Sequence, residues 1–248
     1  MKTLIYEGKA KKLYRIEGNN NEILMEFKDS LTAFNGVKKG SFDKKGELNR
    51  EMASLIFRYL TRHGVKTHWL RDEVEGMIVR PVEIIPIEVV VRNILAGSTA
   101  KRLGIAEGQV LKNPLVEFYY KNDVLNDPFI SDDQALMLNL ASKDEVTKLK
   151  EQALSVNSLL NPFFKGCGLQ LIDFKLEFGR DQTTKTTLLA DEITPDSCRL
   201  WDEKTGERMD KDRFRRDLGQ VDETYQEVWR RMKSVWEAEL SRPPLVEV

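Results

Sequence analysis

The chain has 248 residues, 41% of them hydrophobic and 32% charged, which is enough apolar material for one large or two modest cores and excludes disorder, a collagen-like repeat or a small disulfide scaffold. With 39 Lys and Arg against 40 Asp and Glu the formal charge is -1, so no global field draws the protein to nucleic acid or to an acidic membrane, and basic function must come from local clusters. Cys167 and Cys198 lie far apart and match no zinc or redox spacing; they read as free thiols in a reducing compartment. Met1 to Ile5 is too short an apolar start for a signal peptide, and no run of about 18 apolar residues occurs. A cytoplasmic protein without membrane contact is expected. The only histidines, His63 and His68, share one segment, so a His-rich metal site or His-based triad is not expected, and both are assigned surface or packing roles.

In chain order, Leu4–Tyr6, Leu13–Ile16 and Ile23–Phe27 read as a meander broken by turns at Gly8–Lys12 and around Gly18. Leu48, Met52, Leu55, Ile56, Tyr59 and Leu60 then recur at helical spacing, with Gly64 placed as a C-terminal cap. Strands follow at Trp69–Leu70 and Met77–Arg80. Pro81 and Pro86 restrict the backbone around Val82–Ile85, and a boundary is set there: residues 1–83 form an N-terminal β-rich part and 84–248 a C-terminal α+β part. The second part opens with the β-branched run Ile87–Asn93 and a turn into a short helix at Gly97–Gly104. Capping boxes at Ser131-x-x-Gln134 and Ser142-x-x-Glu145 start two helices, the second carrying Val146, Leu149, Ala153, Val156, Leu160 and Phe163 on one face. A hairpin of Leu169–Gly179 and Thr186–Ile193 follows. A last helix bears Val221, Tyr225, Val228, Trp229, Met232, Val235 and Trp236. The fold class is α+β in two lobes: an antiparallel sheet with a helix, then a larger sheet with helices.

Four clusters carry candidate chemistry. In Leu171–Gly179, Ile172, Phe174, Leu176 and Phe178 alternate with Asp173, Lys175 and Glu177. An ordinary half-exposed strand gives the same pattern, but a hairpin turning within Asp181–Lys185 sets Glu177 near Asp191, and facing carboxylates need a cation between them. Mg²⁺ held by two carboxylates and phosphate oxygens would supply it, with Lys175 beside a phosphate or carboxylate, provided the register is right. Gly8-Lys9-Ala10-Lys11-Lys12 puts Lys9 and Lys11 where a polyphosphate clamp needs them, although it is neither a Walker A loop nor G-x-G-x-x-G and also fits a solvated hairpin. Glu88, Val90 and Arg92 share a strand face just before Gly97-Ser98, which suits either an anion pocket or a strand-end salt bridge. The charge runs Asp196–Asp202 and Met209–Arg215 contain aromatic residues, which points to ordered loops.

Together these motifs closely resemble the phosphoribosylaminoimidazole-succinocarboxamide synthase (SAICAR synthetase) family. The resemblance spans nearly the whole chain and rests on Gly8-Lys9-Ala10-Lys11; on Ile85-Pro86-Ile87-Glu88-Val89-Val90-Val91-Arg92-Asn93 with Ala96-Gly97-Ser98; and on Lys121-Asn122-Asp123 with Asp127-Pro128. It continues through Asp173–Gly179, Pro195-Asp196, Arg199–Asp202 and Asp210–Arg215. The departures are at Arg180–Thr186 and from Asn126 onward. The resemblance implies an ATP-dependent ligase that joins L-aspartate to carboxyaminoimidazole ribonucleotide (CAIR) through an acyl phosphate, giving SAICAR, ADP and phosphate in purine biosynthesis, in a nucleotide cleft similar to kinase and ATP-grasp clefts. It implies ATP and Mg²⁺ as cofactors. Lys9, Lys11 and Lys121 would meet the phosphates, with Lys11 and Lys175 catalytic, and backbone of Arg80–Ile85, at Val82 and Ile84, would meet adenine. Arg92, Ser98, Lys175, Arg199, Asp212 and Arg215 would serve the ribonucleotide, while Glu177 and Asp191 hold the metal. A homodimer is the assembly the resemblance suggests, although no apolar stripe is distinguishable from core. Two rivals stand beside it. One is a kinase with the same cleft, which lacks a His-Arg-Asp loop and an Asp-Phe-Gly motif. The other is a nucleic-acid-binding module with Lys38, Lys39, Lys44 and Lys45 as a basic edge, opposed by the near-zero charge.

Overall fold

The structure, a computed structural model, describes residues 1–33 and 36–241. The first three strands, β1 (Lys2–Glu7), β2 (Lys11–Ile16) and β3 (Asn19–Phe27), form the expected antiparallel meander. A short hairpin, β4 (Ser30–Ala33) and β5 (Lys38–Ser41), stands apart from that sheet. Helix α1 (Lys45–Arg62) buries Met52, Leu55, Ile56, Phe57, Tyr59 and Leu60 against the sheet. Its last turn closes as the sequence predicts: Gly64 takes φ 82°, and Val65 N–H reaches back to the Leu60 carbonyl at 3.0 Å. Strands β6 (Trp69–Glu73) and β7 (Gly76–Val79) then complete a five-stranded sheet in the order β1-β2-β3-β7-β6.

The second sheet starts at Val82 without a spacer. Strand β8 (Val82–Ile94) runs through Pro86 and is flanked by β9 (Val110–Tyr120) and β11 (Leu169–Asp181). Pro86 fits because β9 begins pairing only at Ile87 and the register against β11 shifts between Glu177 and Gly179, so no ladder bond is asked of the missing N–H. Val82 and Glu83, grouped with the N-terminal part by the proline argument, pair with Asp181 and Arg180 in the second sheet. The sheet order is β10 (Phe129–Ile130), β9, β8, β11, β12 (Thr187–Ala190), all antiparallel. Strand β13 (Cys198–Asp202) pairs with β11 at Asp173, whose other neighbour is Arg92 of β8, so β13 follows β12 along one edge of β11.

Both capping boxes form, at α3 (Asp132–Met137) and α4 (Lys143–Gly166). Helix α4 lays its expected apolar face on the second sheet, with Val146, Leu149, Ala153, Val156, Leu160 and Phe163 all buried against Phe174, Leu176 and Phe178. Helix α2 (Gly97–Leu103) follows β8, while α5 (Asp212–Arg215) leads to α6 (Val221–Leu240), which packs on α1 through Tyr225, Val228, Met232 and Trp236. The result is a mixed α/β protein built on antiparallel sheets. No helix among the described residues is long and apolar enough to cross a membrane.

Candidate active site

Because one face of β8 and β11 is spent on the core, the alternate residues of both strands face the other way. They form the floor of a cleft of about 1160 Å³ whose opposite wall comes from β1, the β1–β2 turn and β2 and β3. All the predicted site residues except Asp212 line it; Asp212 lies directly behind, paired with Arg199 and Arg215, which do.

At one end a lattice of lysines and carboxylates spans the two sheets. Lys175 lies 2.5 Å from Glu177, 3.0 Å from Glu88 and 3.8 Å from Asp191, and Lys121 adds a second contact to Glu177 at 2.8 Å. From the other wall, Lys11 bonds Asp191 and lies 3.2 Å from Glu192, and Lys9 reaches Asp123 at 2.7 Å. Lys9 and Lys11 thus reach into one cleft, and Lys11 is no solvated hairpin lysine. Burial pulls the Lys175 ammonium down, but Glu177, Glu88 and Asp191 outweigh it and hold its pKa well above the usual value. For Asp191 burial acts against ionisation, and Lys11 and Lys175 more than reverse it.

The expected register is off by one residue: Glu177 faces Ala190, not Asp191. Asp191 nevertheless joins the cluster because it leaves β12 in the left-handed conformation, φ 60°, which an Asp tolerates better than most residues. The cation between the two carboxylates in the structure is the Lys175 ammonium. No preformed cage of three or more metal-ligating side chains exists among the described residues. Two carboxylate groups beside a cation position form a hard oxygen donor set that suits Mg²⁺ arriving with phosphate.

At the other end Arg92, 3% exposed, donates to Glu117 at 2.7 Å, Asp173 at 2.5 Å and the Tyr119 hydroxyl at 3.2 Å. Arg199 bridges Asp173 and Asp212, each at 3.0 Å, and Arg215 bonds Asp212 at 2.6 Å. Arg92 is therefore one member of a buried ladder, more than a strand-end salt bridge. Gly97 is required here: its φ is 61°, and a Cβ would sit 2.6 Å from the Arg199 guanidinium. Ser98 is exposed at the cleft mouth. Val82 and Ile84 line the wall where β8 has β11 on one edge and no β9 partner on the other.

Several members were not singled out from sequence. Glu117 and Tyr119 alternate with Val116 and Phe118 on β9, so strand periodicity was the available signal. Glu192 and Lys211 carried none. His68 is buried and faces Phe57, and burial pushes it down to about 3, so it is neutral and plays the expected packing role at the cleft wall. Of the four lysines of the alternative basic edge, Lys45 is fully buried against Asp196 at 2.5 Å and Lys38 is tied to Asp217 at 2.6 Å, while Lys39 and Lys44 are exposed.

Lysines from two walls meeting paired carboxylates, next to an arginine ladder, define a site for polyphosphate and carboxylate chemistry. Residues 4–232 match the SAICAR synthetase family. The phosphoribosylaminoimidazole-succinocarboxamide synthase of Anoxybacillus flavithermus is 53% identical over 92% of this chain and 95% of its own length. Among solved structures, the synthase of Ehrlichia chaffeensis superposes with a TM-score of 0.90 at 43% identity, covering 93% of this chain and 98% of that one. A SAICAR synthetase in complex with ADP gives 0.88 at 46% identity, covering 92% and 97%. The chain belongs to the SAICAR synthetase family.

Proposed function

We infer that this cleft carries out the family's reaction, the ATP-dependent joining of L-aspartate to CAIR in purine biosynthesis. A carboxylate does not acylate an amine at a useful rate because its leaving group would be oxide. The CAIR carboxylate oxygen attacks the γ-phosphorus of ATP, the bond to ADP breaks, and the resulting acyl phosphate is attacked by the aspartate amine, which gives up a proton as phosphate departs. The protein contributes position and charge, as phosphoryl transfer demands.

In this reading Lys9, Lys11 and Lys121 contact the ATP phosphates, and Lys11 and Lys175 stabilise the charge that develops at transfer. Glu177 and Asp191 would hold Mg²⁺, which supplies charge neutralisation at the phosphate oxygens. Arg92, Ser98, Arg199 and Arg215 receive the anionic ribonucleotide, with Asp212 orienting Arg199 and Arg215, and the unpaired edge of β8 at Val82–Ile84 meets adenine. The chain acts as two lobes, 1–83 for the nucleotide and 84–248 for the substrate, with a kinase-like cleft between them; the last seven residues of the second range lie outside the described residues. The protein works in the cytoplasm on small molecules, without nucleic acid, and a homodimer is the proposed assembly.

The observation that carries this reading is that Lys11 from one sheet and Lys175 from the other converge on Asp191 within one cleft. The test is phosphate release from Mg²⁺-ATP and CAIR with L-aspartate added or omitted, following product mass. Aspartate-dependent release with the mass of the succinocarboxamide is expected. Phosphate retained on an acceptor would instead identify a kinase.

A further inference from the structure

Nine cationic side chains line the cleft, and among the described residues eight of them have a protein carboxylate within 4 Å. The ninth is Lys211, at the start of α5. Its backbone is anchored, N–H to the Pro195 carbonyl at 3.1 Å and C=O to the Arg215 N–H at 3.0 Å, but its ammonium has no hydrogen bond or ion pair among the described residues. Asp196, the carboxylate whose charge acts most strongly on it, is already taken. One of its oxygens accepts from Lys45 at 2.5 Å and Asn49 at 3.1 Å, and the other accepts from the Tyr225 hydroxyl at 2.5 Å. Burial, together with Arg215 and Lys45, lowers the Lys211 pKa against the pull of Asp196 and Glu192.

A half-buried ammonium kept without a counter-charge costs folding free energy, so its retention needs a ligand anion. Of the anions the proposed reaction brings in, phosphates have the lysine lattice and the arginine ladder. The carboxylate that must attack phosphorus is a poor match, since an ion pair to it would lower its nucleophilicity and be lost during the reaction. The carboxylates of the amine donor do no chemistry, and a charge pair to one of them persists unchanged throughout. We infer that Lys211 binds a carboxylate of the incoming L-aspartate, a role that rests on the ligase reading above.

The experiment compares wild type with Lys211→Met and Lys211→Arg in steady-state kinetics with each substrate varied, alongside thermal melts of the ligand-free proteins. Lys211→Met should raise KM for L-aspartate on the order of 10- to 100-fold, as expected for a lost charge-assisted bond, while KM for ATP and CAIR stays within about threefold of wild type. Lys211→Arg should recover part of that loss. Because the wild-type ammonium is unpaired, ligand-free Lys211→Met should melt no lower than wild type. An unchanged KM for L-aspartate, a rise confined to CAIR, or a lower melting temperature with all three KM values raised together would overturn the assignment. If wild type itself shows no aspartate-dependent phosphate release, the ligase reading fails and this inference falls with it.

Discussion

Replacing Glu117 with Gln tests whether the arginine ladder depends on a group that never touches the cleft. One Glu117 oxygen accepts from Arg92 Nε at 2.7 Å, Thr99 Oγ1 at 2.7 Å and the Tyr119 hydroxyl at 3.2 Å, and the other accepts from Arg102. Every neighbour is a donor, so whichever way the glutamine amide turns, its NH₂ faces another donor. The cheaper choice points NH₂ at Arg102, whose side chain is 37% exposed and can swing into water. Arg92 then keeps one oxygen and its bond to Asp173 but loses a charged partner while remaining buried. Breaking a buried pair outright costs about 3–5 kcal/mol; with Asp173 retained, about 2 kcal/mol is expected. Urea denaturation at pH 7 measures it, and KM for CAIR should rise while KM for ATP does not, because Arg92 loses its fixed orientation. A stability change below about 0.5 kcal/mol, the size of a surface substitution, would show that Glu117 does not hold the ladder.

Three further outcomes follow from the same geometry. Gly97→Ala puts a Cβ 2.6 Å from the Arg199 guanidinium at φ 61°; a loss of about 1–2 kcal/mol in denaturation is expected, with weaker CAIR binding by titration calorimetry. Glu145 is held down to about 2, first by its bond to Arg180 and also by the Ser142 amide. Its stabilisation is therefore complete above the unfolded value near 4.5 and is lost as pH falls through about 2, so Glu145→Gln should cost about 1–2 kcal/mol at pH 7 and only a small fraction of that at pH 2 in paired melts. Lys175→Met removes the cation between Glu177 and Asp191; it should lower turnover on the order of 10²-fold, and millimolar Mg²⁺ should raise its melting temperature more than that of wild type. Equal Mg²⁺ responses would show that the two carboxylates are not a metal site.

Where a face is buried by repetition, the sequence was legible. The helices α1, α4 and α6 announce themselves because a residue missing from the stripe would leave a hole in the core, against a sheet for α1 and α4 and against α1 for α6, and both capping boxes form because the partners are three residues apart in the chain. The β4–β5 hairpin was not readable, since its strands are four residues each and Lys38–Ser41 has no apolar alternation. The site divides the same way. Lys175 and Glu177 could be placed on one face by parity alone. The register that brings Asp191 to them depends on a left-handed residue and on a sheet contact from residues 66–68, where His68 N–H bonds the Leu189 carbonyl at 2.8 Å. Such contacts join segments more than a hundred residues apart, and no local pattern encodes them. Lys45 is the sharper case. Beside Lys38, Lys39 and Lys44 it looks like any surface lysine, yet it is fully buried and paired with Asp196, which also accepts from the α6 tyrosine Tyr225.

The near-zero net charge that argued against a nucleic-acid partner also explains how the cleft can be crowded with cations. Lysines and arginines facing an empty pocket would repel one another and would have to be reorganised when an anion arrived. Here, among the described residues, eight of the nine have a carboxylate within 4 Å, supplied by the second sheet and by the segments that flank it, Asp123, Asp191 and Asp212, so the more buried of them, Lys11, Arg92, Lys175 and Arg199, are oriented before any ligand enters. An incoming phosphate would then compete with a carboxylate for a cation already in place, and the carboxylates released by that exchange include Glu177 and Asp191, the two proposed to hold Mg²⁺. The same accounting isolates Lys211. Among the described residues Lys211 is the one cleft cation without an ion pair, and it marks the position at which substrate, not protein, completes the balance.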